Sequence, residues 1–195
     1  MSTQAVAHLS LEKYLELERR AKERSEYLNG QMFAMAGGTR NHARIVGNTL
    51  SQLVEQLRGR PCEAAGGDLR LYSAAHDIFI YPDVVVTCGP DKFLDNRRDT
   101  ITDATLIVEV LSPSTRSYDR GEKFLFYRSL PSFSEYLLLA QDTILAEHHV
   151  RQPDGAWLFR EFKSPADEIE LTSIGCRLKL ESLYERVEFE APPTV

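Results

Sequence analysis

Glu109 stands inside Leu106-Ile107-Val108-Glu109-Val110-Leu111, an otherwise apolar run. Side chains alternate across a strand, so its carboxylate shares a face with Ile107 and Leu111. Such a run marks a strand covered on both faces, where an unpaired charge is costly. Glu109 must then be neutral, ion-paired or bound to a cation. A structural arginine or a partly open sheet would satisfy it, and so would a metal. Asp83 follows Pro82 and opens Val84-Val85-Val86, a second apolar strand. Two acids on neighbouring strands would converge. Mg²⁺ commonly takes one or two protein carboxylates and completes its shell with water and phosphate oxygens. A cation held in that way activates water and offsets charge building on a phosphodiester. Read alone, Asp83 is equally a strand-entry residue accepting a backbone hydrogen bond.

The third component follows Glu109. Asp119, Lys123 and Tyr127 are spaced four apart and lie along one helical stripe. They make a surface ion pair with a packed tyrosine, or they turn Lys123 toward Glu109. In the second case the ammonium orients an attacking water or offsets phosphate charge. Ser112, Ser114 and Thr115 cluster where the strand ends and suit a helix cap. A serine nucleophile served by Lys123 is disfavoured, because no glycine-flanked nucleophile turn surrounds these serines. His148 and His149 are adjacent on an expected strand and point to opposite faces. Arg97, Arg98, Arg116 and Arg120 are phosphate contacts or solvated loop charges. Trp157, after a glycine turn, reads as core or rim.

The elements that must position these groups are legible as a pattern. Ser10 caps a first helix running from Leu11 to about Arg24. Asn29-Gly30 between short apolar runs predicts a tight hairpin. Thr39 or Asn41 caps a second helix whose apolar stripe is Val46, Leu50, Leu53, Val54 and Leu57, and Gly59-Arg60-Pro61 stops it. Strands are expected at 68–72, 78–80, 84–86 and 106–111. A helix then runs from the Ser112 turn to about Ser129, followed by a strand at 135–140. A hairpin of 144–150 and 157–162 turns at Pro153-Asp154-Gly155, and a short helix covers 180–187. This order argues for an α/β (α+β mixed) fold, a mixed central sheet flanked by helices, in one domain over residues 1–195.

The 195 residues carry 23 basic and 29 acidic side chains, a net charge of −6. The balance lowers the expectation of a nonspecific nucleic-acid-coating protein, which usually shows a basic excess. It leaves an acidic catalytic site open. No apolar run reaches the roughly 18 residues of a membrane span, and the first residues do not read as a secretory leader. Cys62, Cys88 and Cys176 are odd in number and far apart. They suggest neither a zinc site nor a disulfide framework, and therefore a cytoplasmic setting.

Tyr81-Pro82-Asp83-Val84-Val85-Val86, Ile107 through Thr115, and Tyr118-Asp119-Arg120 through Lys123 and Tyr127 together resemble the Uma-two family, restriction-endonuclease-like proteins of the PD-(D/E)XK nuclease superfamily. Glu26-Tyr27-Leu28-Asn29-Gly30 resembles that family's N-terminal acid and hairpin. His42 stands where members carry a histidine before the second helix, and the segment from Trp157 through Tyr184 is similar to the family's tail. The resemblance implies a restriction-endonuclease-like fold. It implies that Asp83 and Glu109 bind metal and act with Lys123, and it brings in Glu26 and His42. The superfamily's lysine belongs two residues after Glu109, where this chain has Leu111, and Lys123 is the substitute from the following helix. The expected activity is hydrolysis of DNA phosphodiester bonds with Mg²⁺ or Mn²⁺, in a homodimer. The alternative is an inactive nuclease-fold module that binds nucleic acid or a protein partner.

Overall fold

The computed structural model describes residues 8–35 and 37–189. The start of the chain, read above for a leader, lies up to residue 7 outside them. The spine of the fold is a six-stranded mixed sheet in the order β11-β10-β9-β8-β6-β3. Its strands are β3 (Cys62–Gly66), β6 (Val84–Cys88), β8 (Leu106–Leu111), β9 (Glu135–Ala140), β10 (Ala146–Arg151) and β11 (Trp157–Phe162). Only β8 and β9 pair in parallel; the other neighbours are antiparallel. A second sheet has the order β2-β1-β5-β4-β7. It consists of β1 (Ser25–Leu28), β2 (Gln31–Ala34), β4 (Arg70–Ser73), β5 (Ile78–Ile80) and β7 (Thr100–Ile101). A ribbon of β12 (Glu168–Leu171) and β13 (Cys176–Lys179) completes the strands. The expectation of one central sheet is thus widened to two mixed sheets and a ribbon.

Strand alternation sorts the spine's side chains into two cores. Val84, Val86, Val108, Val110 and Leu137 face helix α2 (Arg40–Leu57), the β12–β13 ribbon and the short helix α5 (Leu180–Leu183). Val85, Ile107, Leu111 and Leu138 face the second sheet and the helical segment after β8. Both faces are covered, so β8 is buried along its whole length. Burying each such aliphatic side chain contributes roughly 1.5–3 kcal/mol before the entropy of ordering the chain is subtracted.

The helices differ from their expected limits for local reasons. Ser10 caps α1 (Leu11–Glu18), its side chain accepting from the Lys13 amide. The helix stops at Glu18 rather than continuing to Arg24. At its C-cap the Arg19 side chain makes a two-pronged bond to Asp99 at 2.8 and 2.9 Å and another to Asp95 at 2.6 Å. Thr39 caps α2 by accepting from the His42 amide. The stripe of α2 is rotated from the expected one. Ile45, Thr49, Leu53 and Leu57 are buried, Val46 and Leu50 pack at the core's margin, and Val54 is exposed. Thr49 escapes a hydrophobic count because its hydroxyl donates to the Ile45 carbonyl at 2.7 Å. The helix after β8 is three joined pieces: α3 (Arg116–Tyr118), a π-helical turn (Asp119–Lys123) and α4 (Phe124–Arg128). α5 ends at Leu183, short of Val187.

The cysteine reading is corrected. Cys62 and Cys88 form a disulfide. β3 and β6 pair antiparallel with these two residues directly opposite, which sequence distance conceals. Cys176 is free and buried. The argument from unpaired cysteines to a reducing compartment therefore falls away. No helix among the described residues is long and apolar enough to cross a membrane.

The Arg19 clasp carries a pH signature. Its guanidinium bonds hold the Asp99 carboxyl down to about 2, against the opposing effect of partial burial. A depressed folded-state pKa stabilises above the unfolded value near 4 and ceases to do so as pH falls through about 2. Asp99 is about one-third exposed, 35% for the side chain. Solvent screening therefore reduces its contribution to about 1 kcal/mol. Asp99→Asn should remove this part of the acid-induced loss of stability between pH 5 and pH 2, read by urea unfolding. A variant whose acid limb matches the wild type's would contradict the assignment.

Candidate active site

Val84 pairs with Val108 across the β6–β8 ladder, so one step further Asp83 and Glu109 lie opposite each other. Asp83 reaches over its neighbour strand, its Oδ2 accepting from the Val110 amide at 2.8 Å. Its own amide points back at Glu109 Oε2, 3.3 Å away. The proline before Asp83 and the apolar run after it hold this acid at the mouth of a covered sheet.

The segment after β8 folds back over Glu109. Lys123 Nζ donates to Glu109 Oε1 at 3.0 Å, and the Tyr127 hydroxyl donates to the same oxygen at 2.5 Å. Lys123 also lies 3.3 Å from Asp119 Oδ1 and 3.6 Å from Glu26 Oε1. The π turn carries both Asp119 and Lys123, and both are buried. Its widened backbone is steadied from below, where the buried Tyr136 hydroxyl donates to the Asp119 carbonyl at 2.9 Å. Single π turns recur at functional sites because they offset side chains from the regular helical stripe. Glu26 arrives from β1 of the second sheet. His42 arrives from the first turn of α2, with Nε2 at 3.2 Å from Asp83 Oδ2. A side chain at Gly38 would press on the His42 ring at about 3.0 Å, so the glycine leaves the imidazole its place.

The structure thus brings Glu26, His42, Asp83, Glu109, Asp119, Lys123 and Tyr127 into one cluster. The remaining sequence candidates lie elsewhere or are already paired. Arg116 bonds Asp142, Arg120 bonds Glu147 and Arg98 bonds Asp91. His148 is buried 3.9 Å from Glu135, while His149 packs against Phe124 and Phe159 on the other face. Trp157 packs on Phe124 and Phe133. Ser112 bonds Ser114 and Thr115 and the Thr115 amide, a turn rather than a nucleophile. The Asp83–Val110 bond and the Tyr136 support escaped sequence reasoning, because both depend on strand order.

The electrostatics are unbalanced. Four carboxylates face one ammonium, with His42 as the remaining cation candidate. Burial, helped by the Asp83 and Asp119 charges, raises Glu109 above the usual carboxylate range, against the opposing pull of Lys123 and the Tyr127 hydrogen bond. Burial would lower Lys123, but Glu109, Glu26, Asp119 and Asp83 outweigh it and hold its pKa well above the ordinary lysine value. Lys123 is therefore an ammonium, a donor and a charge, and not a base at neutral pH. Partial burial would raise Asp83, yet hydrogen bonding and charge from His42 with the Val110 amide keep it below the usual range. The same contact raises His42 despite its burial. Glu26 Oε1 is buried with no hydrogen-bond partner. A groove of about 740 Å³ opens beside Asp83 and His42.

This donor set suits a hard divalent ion in its chemistry, through carboxylate oxygens, excess negative charge and one unsatisfied buried oxygen. Among the described residues no three His, Cys, Asp or Glu side chains already form a cage. A cation here would be held by few protein ligands, as Mg²⁺ usually is.

Removing the single ammonium should expose how much the carboxylates depend on it. Lys123→Met is expected to cost about 3–5 kcal/mol, the range for breaking a buried pair from one side. Adding Glu109→Gln should recover at least about 1 kcal/mol, a coupling read from a double-mutant cycle by urea unfolding. Additive losses would show that the pair does not interact.

Comparison with known proteins follows the same outline. A family model described as "Uma2: Putative restriction endonuclease" matches residues 11–181. Two uncharacterized proteins of Synechocystis sp. are each 37% identical to this chain. One aligns over 183 residues, 93% of this chain and 94% of its own length. The other aligns over 164 residues, 84% of this chain and 93% of its own. A crystal structure from Anabaena variabilis, described as a "putative nuclease belonging to DUF820", matches with a TM-score of 0.72. It covers 90% of this chain and 97% of that one at 17% identity, a likeness of fold.

Proposed function

The chain belongs to the Uma2 family, and from that premise we propose that it is a metal-dependent endonuclease hydrolysing DNA phosphodiester bonds. The observation that carries this reading is the pair of acids, Asp83 and Glu109, opposite each other on neighbouring strands, with Lys123 Nζ 3.0 Å from Glu109. In this reading Asp83 and Glu109 hold Mg²⁺ or Mn²⁺, and Glu26, whose buried Oε1 accepts no hydrogen bond, is an additional acid. The bound ion supplies a polarised water and neutralises charge on the phosphate.

The chain's own groups do the rest. Lys123 keeps its proton and presents a positive charge where negative charge builds on the phosphate. Tyr127 and Lys123 fix the Glu109 carboxylate from one side, leaving Oε2 toward Asp83. His42 and the Val110 amide fix Asp83 in the same manner. Asp119 holds Lys123 in place, one turn before it. Both acids are thus preorganised, which lowers the reorganisation required during reaction.

Leu111 in the superfamily's lysine position supports the alternative of an inactive binding module. That argument weakens because Lys123 reaches Glu109 from the helix instead, and Leu111 is a core residue. Cutting both strands of a duplex calls for two such clusters, which a homodimer would supply.

Plasmid DNA incubated with Mg²⁺ or Mn²⁺ should be nicked or linearised by the wild type and left intact in chelator. Asp83→Ala and Glu109→Ala should each lower the rate by at least about a hundredfold. Cleavage that survives both substitutions would remove this site from the reaction.

A further inference from the structure

We propose that the open edge of β11 is a dimer interface, at which the strand pairs antiparallel with β11 of a second copy about a two-fold axis at Phe159. The inference rests on the nuclease reading only for the use of paired sites; the surface itself stands on the fold. β11 ends the six-stranded sheet, and among the described residues no strand or backbone group pairs with its outer side. The Arg151 amide bonds the Ser134 carbonyl and the Gln152 amide bonds the Ala156 carbonyl. Odd-numbered backbone groups of β10 therefore face β9, and even-numbered ones face β11. With His148 opposite Arg160, the amides and carbonyls of Trp157, Phe159 and Glu161 are left directed at the open side.

Edge strands are ordinarily kept from pairing by brevity, proline, charged side chains or a covering element. β11 is six residues long, contains neither proline nor lysine, and is exposed from Leu158 to Glu161. It is apolar on both faces at that edge. Phe159, 48% exposed, shares a face with His149, whose ring lies 4.9 Å away. Leu158, 41% exposed, stands on the other face beside Val150. A molecule lying on one face of the sheet would cover only one of the two. A strand added at the edge flanks both, and its backbone meets the open amides and carbonyls. The other edges of the two sheets differ. β3 is mostly half-buried, β7 is two buried residues, and β2 is a four-residue strand exposing Phe33.

The charges select both the partner and the register. Outward-facing backbone must meet outward-facing backbone, so a two-fold axis passes through a residue rather than between two. At Arg160 it would set guanidinium against guanidinium, and at Glu161 carboxylate against carboxylate, both destabilising. At Leu158 the strands would run into the turn at Gly155, leaving only residues 157–159 paired. At Phe159, residues 157–161 of the two copies pair in full. Phe159 then lies against Phe159 of the second copy, Trp157 against its Glu161, and the Arg160 stem across its Leu158. No like charges are directly opposed. The strand is thus complementary to itself, as an isologous contact requires.

Sedimentation equilibrium without metal or nucleic acid reads the association, and the wild type should sediment as a dimer at micromolar concentration. Phe159→Lys and Phe159→Glu should each raise the dissociation constant at least about tenfold, because the axis sets each new charge against its own copy. An equimolar mixture of the two variants should associate again, about tenfold more tightly than either alone. If circular dichroism shows a charged variant to be poorly folded, Phe159→Ser should weaken association in the same direction. Phe33→Ser, on the β2 edge, should dimerise as the wild type does. A monomeric wild type, undisturbed association in the Phe159 variants, or a mixture no tighter than its parts would overturn the proposal. Loss of the dimer in Phe33→Ser alone would do so too. The two readings fail separately. A monomeric wild type that still nicks plasmid would remove the interface and leave the hydrolysis. A dimer broken at Phe159 but showing no metal-dependent cleavage would do the reverse.

Discussion

Lys123 is the ammonium around which Glu26, Glu109 and Asp119 are gathered. Among the described residues, the salt bridges of Glu26, Glu109 and Asp119 all run to it. Burial takes each of these groups out of water at a cost that only mutual pairing offsets. The arrangement cannot be loosened piece by piece, because any acid that loses the ammonium becomes an uncompensated buried charge. It is also incompletely balanced, with more carboxylates than cations and with Glu26 Oε1, 3.6 Å from Lys123, accepting no hydrogen bond. A hydrophobic core would have been the more stable choice at these positions. The charge excess is intelligible as a place prepared for a further cation.

The rest of the architecture follows from holding that cluster together. β6 and β8 must be antiparallel neighbours in the register that sets Val84 against Val108, or Asp83 and Glu109 would not meet. A slip of one residue would turn either acid to the opposite face. The parallel β8–β9 pairing needs a crossover, and that crossover is the segment carrying Asp119, Lys123 and Tyr127. The connection required by topology thus delivers the chemistry. The second sheet closes the same face and brings Glu26 with it, while α2 brings His42 from the other layer.

Glu109 in an apolar run, Asp83 at a strand entry and the spacing of 119, 123 and 127 were legible because each is a local pattern with a physical meaning. The Asn29-Gly30 hairpin was legible for the same reason, and both residues do take positive φ. What was hidden was non-local. The Cys62–Cys88 bridge depends on β3 lying beside β6, and β3 itself, Cys-Glu-Ala-Ala-Gly, has little strand propensity of its own. The two-residue β7 and the β12–β13 ribbon were too short or too polar in alternation to stand out before their partners were known. The end of α1 is set by its own backbone, which tightens after Arg19 into turns from Arg20 to Leu17 and from Ala21 to Glu18. The π turn has no compositional signature, although Gly121 lies within it.

Anomalous diffraction from crystals soaked in Mn²⁺ tests the central claim most directly. The account predicts a single strong peak bridging Asp83 and Glu109, about 2.1 Å from an oxygen of each, with the Lys123 ammonium retained at its edge. An empty cluster, or manganese bound only elsewhere on the molecule, would contradict it.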